Sequence, residues 1–152
     1  MADKDPLRLA NQLCFPLYAC SKEIVKAYKP YLEELDLTYT QYITMMVMWE
    51  HKELFVKEVG KYLYLDSGTL TPLLKRLEGK GYIIRQRSAK DERDLIVKLT
   101  ESGEALKERA ADIPLKVGNC VDLDPQKAQT LYALLYEILG KLTDLERSRN
   151  SK

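Results

Sequence analysis

Hydrophobic residues recur at helical spacing through most of the chain and predict a mainly helical protein. The first stripe predicts a helix over residues 6–29, formed by Leu13, Leu17, Cys20, Ile24 and Tyr28. Pro16 predicts an early bend, because it removes one backbone hydrogen bond. The segment YKPYLEEL indicates a break and a short helix, and Thr38 is placed to cap the next helix through YTQYITMMVMWEH.

The stretch VKEVGKYLYLDSGTLTPLLKRLEGKGY predicts two short helices joined by a tight turn. Their apolar faces are formed by Val56, Val59 and Leu63 in the first and by Leu70, Leu74 and Leu77 in the second. The turn falls at Tyr64–Leu65, Asp66 or Ser67 can cap the second helix, and Gly81 ends it. Two helices joined in this way are typical of a helix-turn-helix.

The next two segments, YIIRQRS and DLIVKLT, predict a β-hairpin with the charged tip AKDER. Leu95, Val97 and Leu99 alternate with other residues, as in a half-buried strand. Thr100 can then cap a helix in ESGEALKERAADI, which Pro114 ends or kinks. We therefore expect a mainly α fold with a small β-hairpin wing, the winged helix-turn-helix.

The last helix carries a heptad-like seam. It begins near Pro125, and its apolar positions alternate steps of three and four: Ala128, Leu131, Leu135, Ile138, Leu142 and Leu145. Such a seam packs either on the protein's own core or on a second copy of the chain.

Positive charge is local. The 152 residues carry a formal net charge of only +1, so DNA binding requires a basic patch. Basic residues gather in the second helix of the helix-turn-helix and in the hairpin: Lys75, Arg76, Arg85, Arg87, Lys90 and Arg93. That helix opens with DSGTLT, whose small hydroxyl residues can approach bases and phosphates closely. The plain alternative is a set of ordinary solvated surface charges.

Several classes of protein are disfavoured by composition. Three irregularly spaced cysteines argue against a disulfide framework, and a single histidine without a CxxC motif argues against a metal site. The N-terminus lacks a signal-peptide pattern, and no apolar run is long enough to span a bilayer. We expect a cytoplasmic protein without metal or cofactor and without a membrane partner.

From Leu13 to Thr100 the chain resembles the MarR family of winged-helix repressors. DERDLIVKLT resembles the family's wing, and LDSGTLTPLLKRLE resembles its recognition helix. The resemblance implies a single domain over residues 1–152, an intertwined homodimer held by residues 1–35 and 112–147, and a DNA-binding lobe over residues 53–100. It implies binding to an inverted repeat in double-stranded operator DNA by Ser67, Thr69, Thr71, Lys75, Arg76, Arg87, Lys90, Asp91 and Arg93. Of these, Asp91 and Arg93 form the tip of the wing.

Within that family, NQLCFPLY and YKPYLEELDLTYTQY resemble the organic-hydroperoxide-sensing OhrR type. This resemblance implies that Cys14 is the redox-sensing thiol and that Tyr18, Tyr28 and Tyr39 donate hydrogen bonds to its thiolate, some of them from the partner subunit. It also implies the two-cysteine subclass, in which Cys120, in the loop or short turn before the last helix, forms an intersubunit disulfide with Cys14. Cys20 matches no family position and is expected in the core.

Two other functions stay open. A MarR-type repressor can be relieved by a non-covalent aromatic or phenolic ligand, and Cys14 would then be incidental. A thiol peroxidase is the second alternative, but no thioredoxin-like βαβ pattern and no arginine beside Cys14 support it. The protein is therefore expected to be a repressor with an organic hydroperoxide as inducer, and not an enzyme.

Overall fold

The computed structural model describes residues 5–150, and the side chain of Asn150 is not included. The helices are α1 (Cys14–Glu33), α2 (Tyr39–His51), α3 (Val56–Leu63), α4 (Ser67–Gly79), α5 (Glu101–Ala110), α6 (Ile113–Val121) and α7 (Pro125–Asn150), with a short 3-10 helix at Leu9–Asn11. The strands are β1 (Glu53–Phe55), β2 (Ile83–Arg87) and β3 (Leu95–Leu99). Two compact units, Met1–Val117 and Gly118–Lys152, make up the chain and are described separately. Residues 1–4 of the predicted dimerisation region lie outside the described residues.

The first unit is built on one hydrophobic core. Its buried side chains come from α1 to α6 and the sheet, and they include Leu32, Met45, Met48, Val59, Leu70, Leu74, Leu77, Ile83, Val97, Leu106 and Ile113. The leucine face predicted for α4 therefore lies in the core. Burial of these side chains supplies the main driving force for folding of this unit.

Side-chain caps begin three of the helices, as predicted. Thr38 accepts a hydrogen bond from the Gln41 amide (3.3 Å), and the Gln41 side chain accepts one from the Thr38 amide (3.1 Å), completing a capping box. Asp66 caps α4, and Thr100 caps α5 through the Gly103 amide at 3.0 Å. Gly81, with φ of 79°, follows the end of α4 in the left-handed conformation that glycine adopts easily.

The wing contains a third strand that the sequence does not reveal. β3 lies between β1 and β2, and both pairings are antiparallel, with Val97 opposite Leu54 on one side and Arg85 on the other. β1 has only three residues, too few for an alternating pattern to stand out. The predicted hairpin is confirmed and gains an edge strand.

Prolines mark helix boundaries differently from the predictions. α1 begins at Cys14 and not near residue 6, so Pro16 lies in its first turn, where the backbone N–H has no intrahelical partner. The predicted break at YKPYLEEL is wrong, because Pro30 lies inside α1, which continues to Glu33. Pro114 falls in the first turn of α6, a helix separate from α5.

Close packing joins α2, α5 and β2. The indole N–H of Trp49 donates a hydrogen bond to the carbonyl oxygen of Gly103 at 2.8 Å. A Cβ at Gly103 would lie 2.1 Å from the carbonyl oxygen of Tyr82. Only glycine permits this approach, so α5 is held firmly against the start of the wing.

The second unit contains the last turn of α6 and the whole of α7, and none of the described α7 side chains, at residues 125–149, is buried. Its seam residues Leu131, Leu135, Leu142 and Leu145 are 36–57% exposed. Within residues 5–150, none of the helices combines the length and apolar character needed to cross a bilayer.

Candidate nucleic-acid interface and redox centre

The polar residues predicted to bind DNA share the exposed face of α4. Leucines at four positions of this helix are buried, which leaves the opposite face to solvent. The residues exposed there are Ser67, Thr69, Thr71, Lys75 and Arg76. The structure therefore gathers all five predicted α4 residues on a face free of core packing.

The start of α4 is fixed by its own side chains. The Thr69 amide donates to Asp66 Oδ1 at 2.8 Å, and this bond is the main reason why the pKa of Asp66 lies below its usual value. The hydroxyl of Thr71 donates to the Ser67 carbonyl at 2.8 Å. The helix N-terminus thus presents ordered hydroxyl groups beside amides that favour phosphate.

The tip of the wing is organised by one carboxylate. Asp91 accepts from the backbone amide of Arg93 (3.0 Å) and from its guanidinium Nε (3.2 Å), and its carbonyl accepts from the amide of Asp94 (3.0 Å). The Arg93 side chain is nevertheless 91% exposed. Asp91 therefore holds an extended, solvent-facing arginine at the tip, a form that suits entry into a minor groove.

Two basic residues at or beside the wing form ion pairs within the protein. Arg85 is bound to Glu78 of α4, through Nε at 3.1 Å and a terminal nitrogen at 2.8 Å, and does not belong to the exposed patch. Lys57 of α3 pairs with Asp94 at 3.3 Å, a contact that sequence reasoning missed. The exposed cations of the hairpin are Arg87, Lys90 and Arg93.

Cys14 is an exposed thiol at the first residue of α1. Its apolar neighbours Leu13 and Phe15 are 73% and 42% exposed, and Tyr18, one turn on, is 61% exposed. The Tyr18 ring lies under the ammonium group of Lys22, 5.2 Å from its centroid. The start of α1 therefore offers a thiol, a phenol and apolar surface, all open to a partner.

The other two predicted tyrosines form a separate cluster. The rings of Tyr28 and Tyr39 are 5.0 Å apart, and Tyr42 lies 5.7 Å from Tyr28. Burial raises the pKa of all three, with Tyr28 and Tyr39 adding to the shift that brings Tyr42 to about 12. Sequence reasoning missed Tyr42. The sequence feature that pointed to it was its position one helical turn after Tyr39 in a tyrosine-rich stretch.

Within one chain, the thiol and this cluster are far apart. Tyr28 follows Cys14 by fourteen residues on the same helix, which corresponds to about 21 Å along the axis. Neither side chain spans such a distance. Tyr18 lies one helical turn after Cys14, and the Tyr28 ring contacts that of Tyr39, but these two pairs are not joined in a single chain.

The remaining cysteines differ from their predicted settings. Cys120 lies inside α6, next to its last residue, and not in a loop, and it is exposed. Cys20 is also exposed, so its predicted place in the core is wrong. The reason is that α1 buries only Leu32, near its end, and leaves most of its apolar stripe open. Among the described residues, no group of histidine, cysteine, aspartate and glutamate could hold a metal ion.

Comparison with known proteins shows the family to which this chain belongs. A family model described as the transcriptional regulator SarA/Rot matches residues 26–110, more than half of the 152-residue chain. The chain belongs to this family. It is also 50% identical over 141 residues to the organic hydroperoxide resistance transcriptional regulator of Bacillus subtilis (strain 168), covering 91% of this chain and 94% of the relative.

Two structures of AbfR, a protein of Staphylococcus epidermidis, are also similar to this chain. Reduced AbfR bound to DNA is 35% identical, with a TM-score of 0.75 and coverage of 89% of this chain and 94% of that one. AbfR with its disulfide formed is 36% identical, with a TM-score of 0.63 and coverage of 87% and 93%. The resemblance to MarR-type, OhrR-like winged-helix regulators is confirmed, and the chain is a transcriptional regulator.

Proposed function

We propose that this protein is a homodimeric repressor that binds an inverted repeat in operator DNA and is released when an organic hydroperoxide oxidises Cys14. The observation that carries the proposal is the exposed polar face of α4, in the same unit in which α1 begins at an exposed thiol. The solved structure of AbfR with DNA supports the first part, and the AbfR disulfide supports the second.

The DNA-binding lobe, residues 53–100, supplies two kinds of contact. α4 enters a major groove with Ser67, Thr69 and Thr71 at its start and with Lys75 and Arg76 further along. The wing brings Arg87, Lys90 and Arg93 to the flanking backbone and minor groove, with Asp91 holding the tip. Two lobes in a dimer read two half-sites about one helical turn apart.

Dimerisation through residues 1–35 and 112–147 is supported by exposed apolar surface. On α1 this surface includes Leu13, Phe15 and Ile24, and on α7 it includes the leucines of the seam. Exposed apolar patches of this kind mark association sites in soluble proteins. The distance of about 21 Å between Cys14 and Tyr28 along one helix also favours a redox centre completed by the partner's Tyr28 and the partner's Tyr39.

The oxidation has two steps. The Cys14 thiolate attacks the terminal oxygen of the hydroperoxide, the O–O bond breaks, and an alcohol leaves after taking up a proton, so that Cys14 becomes a sulfenic acid. The Cys120 thiol of the partner then displaces the hydroxyl as water and forms the intersubunit disulfide. Tyrosine hydroxyls stabilise the initial thiolate as hydrogen-bond donors without adding charge. The protein is consumed once per event and restored by thiols, as in a switch rather than an enzyme.

Operator binding measured with and without peroxide tests the proposal. Fluorescence anisotropy with labelled operator DNA is expected to give tight binding by the reduced protein, loss of binding after one equivalent of cumene hydroperoxide, and recovery with dithiothreitol. Release that persists in Cys14→Ser would support the non-covalent aromatic ligand as inducer. Peroxide consumption far above the protein concentration would support the thiol peroxidase.

A further inference from the structure

A single lysine joins α4 to the end of the helix that begins at Cys14. Lys80, the residue that follows α4, donates from its ammonium group to the main-chain carbonyl of Asp36 and to Asp36 Oδ2 at 2.7 Å. The two residues are 44 positions apart in the sequence. The Lys80 side chain is only 25% exposed, whereas that of Asp36 is 91% exposed. The lysine therefore reaches from α4 to the corner between α1 and α2.

This corner is attached stiffly to α1. The amides of Leu35 and Leu37 both donate to the Leu32 carbonyl at 3.0 Å, and both leucine side chains are buried. Asp36 lies between them with φ of 52°. A displacement of the end of α1 therefore carries the Asp36 carbonyl with it.

At its other side, the end of α4 is attached to the wing. Glu78 accepts hydrogen bonds from the backbone amide of Arg85 at 2.8 Å and from its guanidinium group. This pair is partly buried, with 18% exposure for Arg85 and 34% for Glu78. The end of α4 and the base of β2 are thus held together, and Lys80 joins this assembly to α1.

We propose that Lys80 is a positioning residue that couples the redox state of Cys14 to the placement of α4 on DNA. The proposal rests on the function proposed above. The Lys80–Asp36 hydrogen bonds form in the reduced, DNA-binding state and break when the disulfide displaces α1. A contact present in only one of two linked states contributes its free energy to the coupling between oxidation and DNA release.

The expected size of the effect is moderate. The carboxylate of Asp36 is exposed, so its ion pair with Lys80 contributes little. The hydrogen bond to the Asp36 carbonyl is directional and contributes the larger share. Loss of one charged donor of this kind lowers affinity by about threefold to tenfold. This loss is expected in the reduced protein alone.

The experiment compares Lys80→Met, which keeps the aliphatic length and removes the donors, with the control Lys107→Met. Lys107 is an exposed residue of α5 and lies outside both the DNA-binding lobe over residues 53–100 and the dimerisation region over residues 1–35 and 112–147. Operator affinity is measured for the reduced and the fully oxidised forms of each protein, over a range of salt concentrations. Disulfide formation is followed on a non-reducing gel, and thermal melting verifies that each variant is folded.

The proposal predicts that Lys80→Met binds operator about threefold to tenfold more weakly when reduced, binds unchanged when oxidised, and forms its disulfide at the normal rate. Equal weakening of both forms would overturn it, because the contact would then persist in both states. A salt dependence reduced by about one ion would instead identify Lys80 as a phosphate contact and overturn it too. If wild type and Lys107→Met themselves fail to respond to peroxide, the proposed function fails, whatever the result for Lys80→Met.

Discussion

The proposed DNA-binding lobe and the proposed redox centre differ in how much of each a single chain contains. In the lobe, the leucines of α4 are buried, its start is capped by Asp66, and the wing tip is held by Asp91. At the proposed redox centre, Cys14 and Tyr18 are exposed, and the Tyr28–Tyr39 pair lies further along in the same unit. The residues of the proposed lobe lie together in one chain, whereas those of the proposed redox centre lie at two separate positions in that chain.

This difference suits a switch. The buried leucines of α4 belong to the core of the first unit, so we expect oxidation to change where the lobe lies and not whether it is folded. In the proposed dimer, a centre divided between subunits makes the oxidation of one thiol a change in the dimer as a whole. Both half-sites must be engaged for tight operator binding, so a change in the dimer is sufficient to release DNA.

The strongest test of the comparison is to separate the subunits. Leu142→Asp places a charge on the exposed seam of α7 and is expected to give monomers in analytical ultracentrifugation, with operator affinity reduced by about a hundredfold or more. Gln129→Asp, also on α7 but outside the seam, is the control and should remain dimeric. A Leu142→Asp protein that stays dimeric would show that the seam is not the interface.

The next effect concerns the response to peroxide alone. Cys14→Ser removes the nucleophile and should keep the operator affinity of the reduced wild type while losing all release by cumene hydroperoxide, because serine is not oxidised. Cys20→Ser, which changes another exposed thiol of α1, serves as the control and should respond normally. A loss of response in Cys20→Ser but not in Cys14→Ser would show that Cys20, and not Cys14, is the sensing residue.

A smaller effect is expected in the lobe. Arg93→Ala should lower operator affinity by about tenfold and reduce the salt dependence by about one ion, without altering the response to peroxide. Asp91→Ala should have a weaker effect of the same kind, because it frees Arg93 without removing its charge. Lys107→Ala, an exposed basic residue of α5, is the control. Unchanged affinity in Arg93→Ala would exclude the wing tip from the interface.

The smallest predicted effect is on stability in acid. Hydrogen bonds from the Arg85 side chain, and then from its backbone amide, lower the pKa of Glu78 below its ordinary value of 4.5. The stabilisation is therefore fully present above about pH 4.5 and is lost as pH falls through the lowered pKa. Chemical unfolding of Glu78→Gln at several pH values should show lower stability at neutral pH and a smaller further loss in acid. Parallel pH profiles for the two proteins would contradict this assignment.

The sequence predicts the lobe well because its signals are local. The leucine spacing of α4, the caps at Thr38, Asp66 and Thr100, and the alternation in β3 each depend on a few neighbouring residues. Strand β1 was missed because its three residues take their conformation from pairing with β3, far away in the chain. Pro30 predicts a break from the sequence, yet α1 continues through it to Glu33.

The redox centre was harder to predict from residue patterns. An apolar stripe at helical spacing predicts burial, but it does not say whether the covering surface comes from the same chain or from another copy. Cys20 shows this limit, since it lies on the stripe and yet is exposed. The pairing of Tyr28 with Tyr39 depends on the packing of α1 on α2 and has no local signal. The assignment of Cys14 came from the family resemblance and stays a prediction.

Mixing two complementary variants tests most directly whether the redox centre is shared between chains. In a Cys20→Ser background, Cys14→Ser and Cys120→Ser proteins are combined, allowed to exchange subunits, treated with one equivalent of cumene hydroperoxide and separated on a non-reducing denaturing gel. Neither variant can form a Cys14–Cys120 bond within its own homodimer, but a mixed dimer holds one such pair across its interface. The account predicts a covalent dimer, cleaved by dithiothreitol, in the mixture and in neither variant alone. A mixture that remains monomeric on the gel while wild type is oxidised at Cys14 would contradict it.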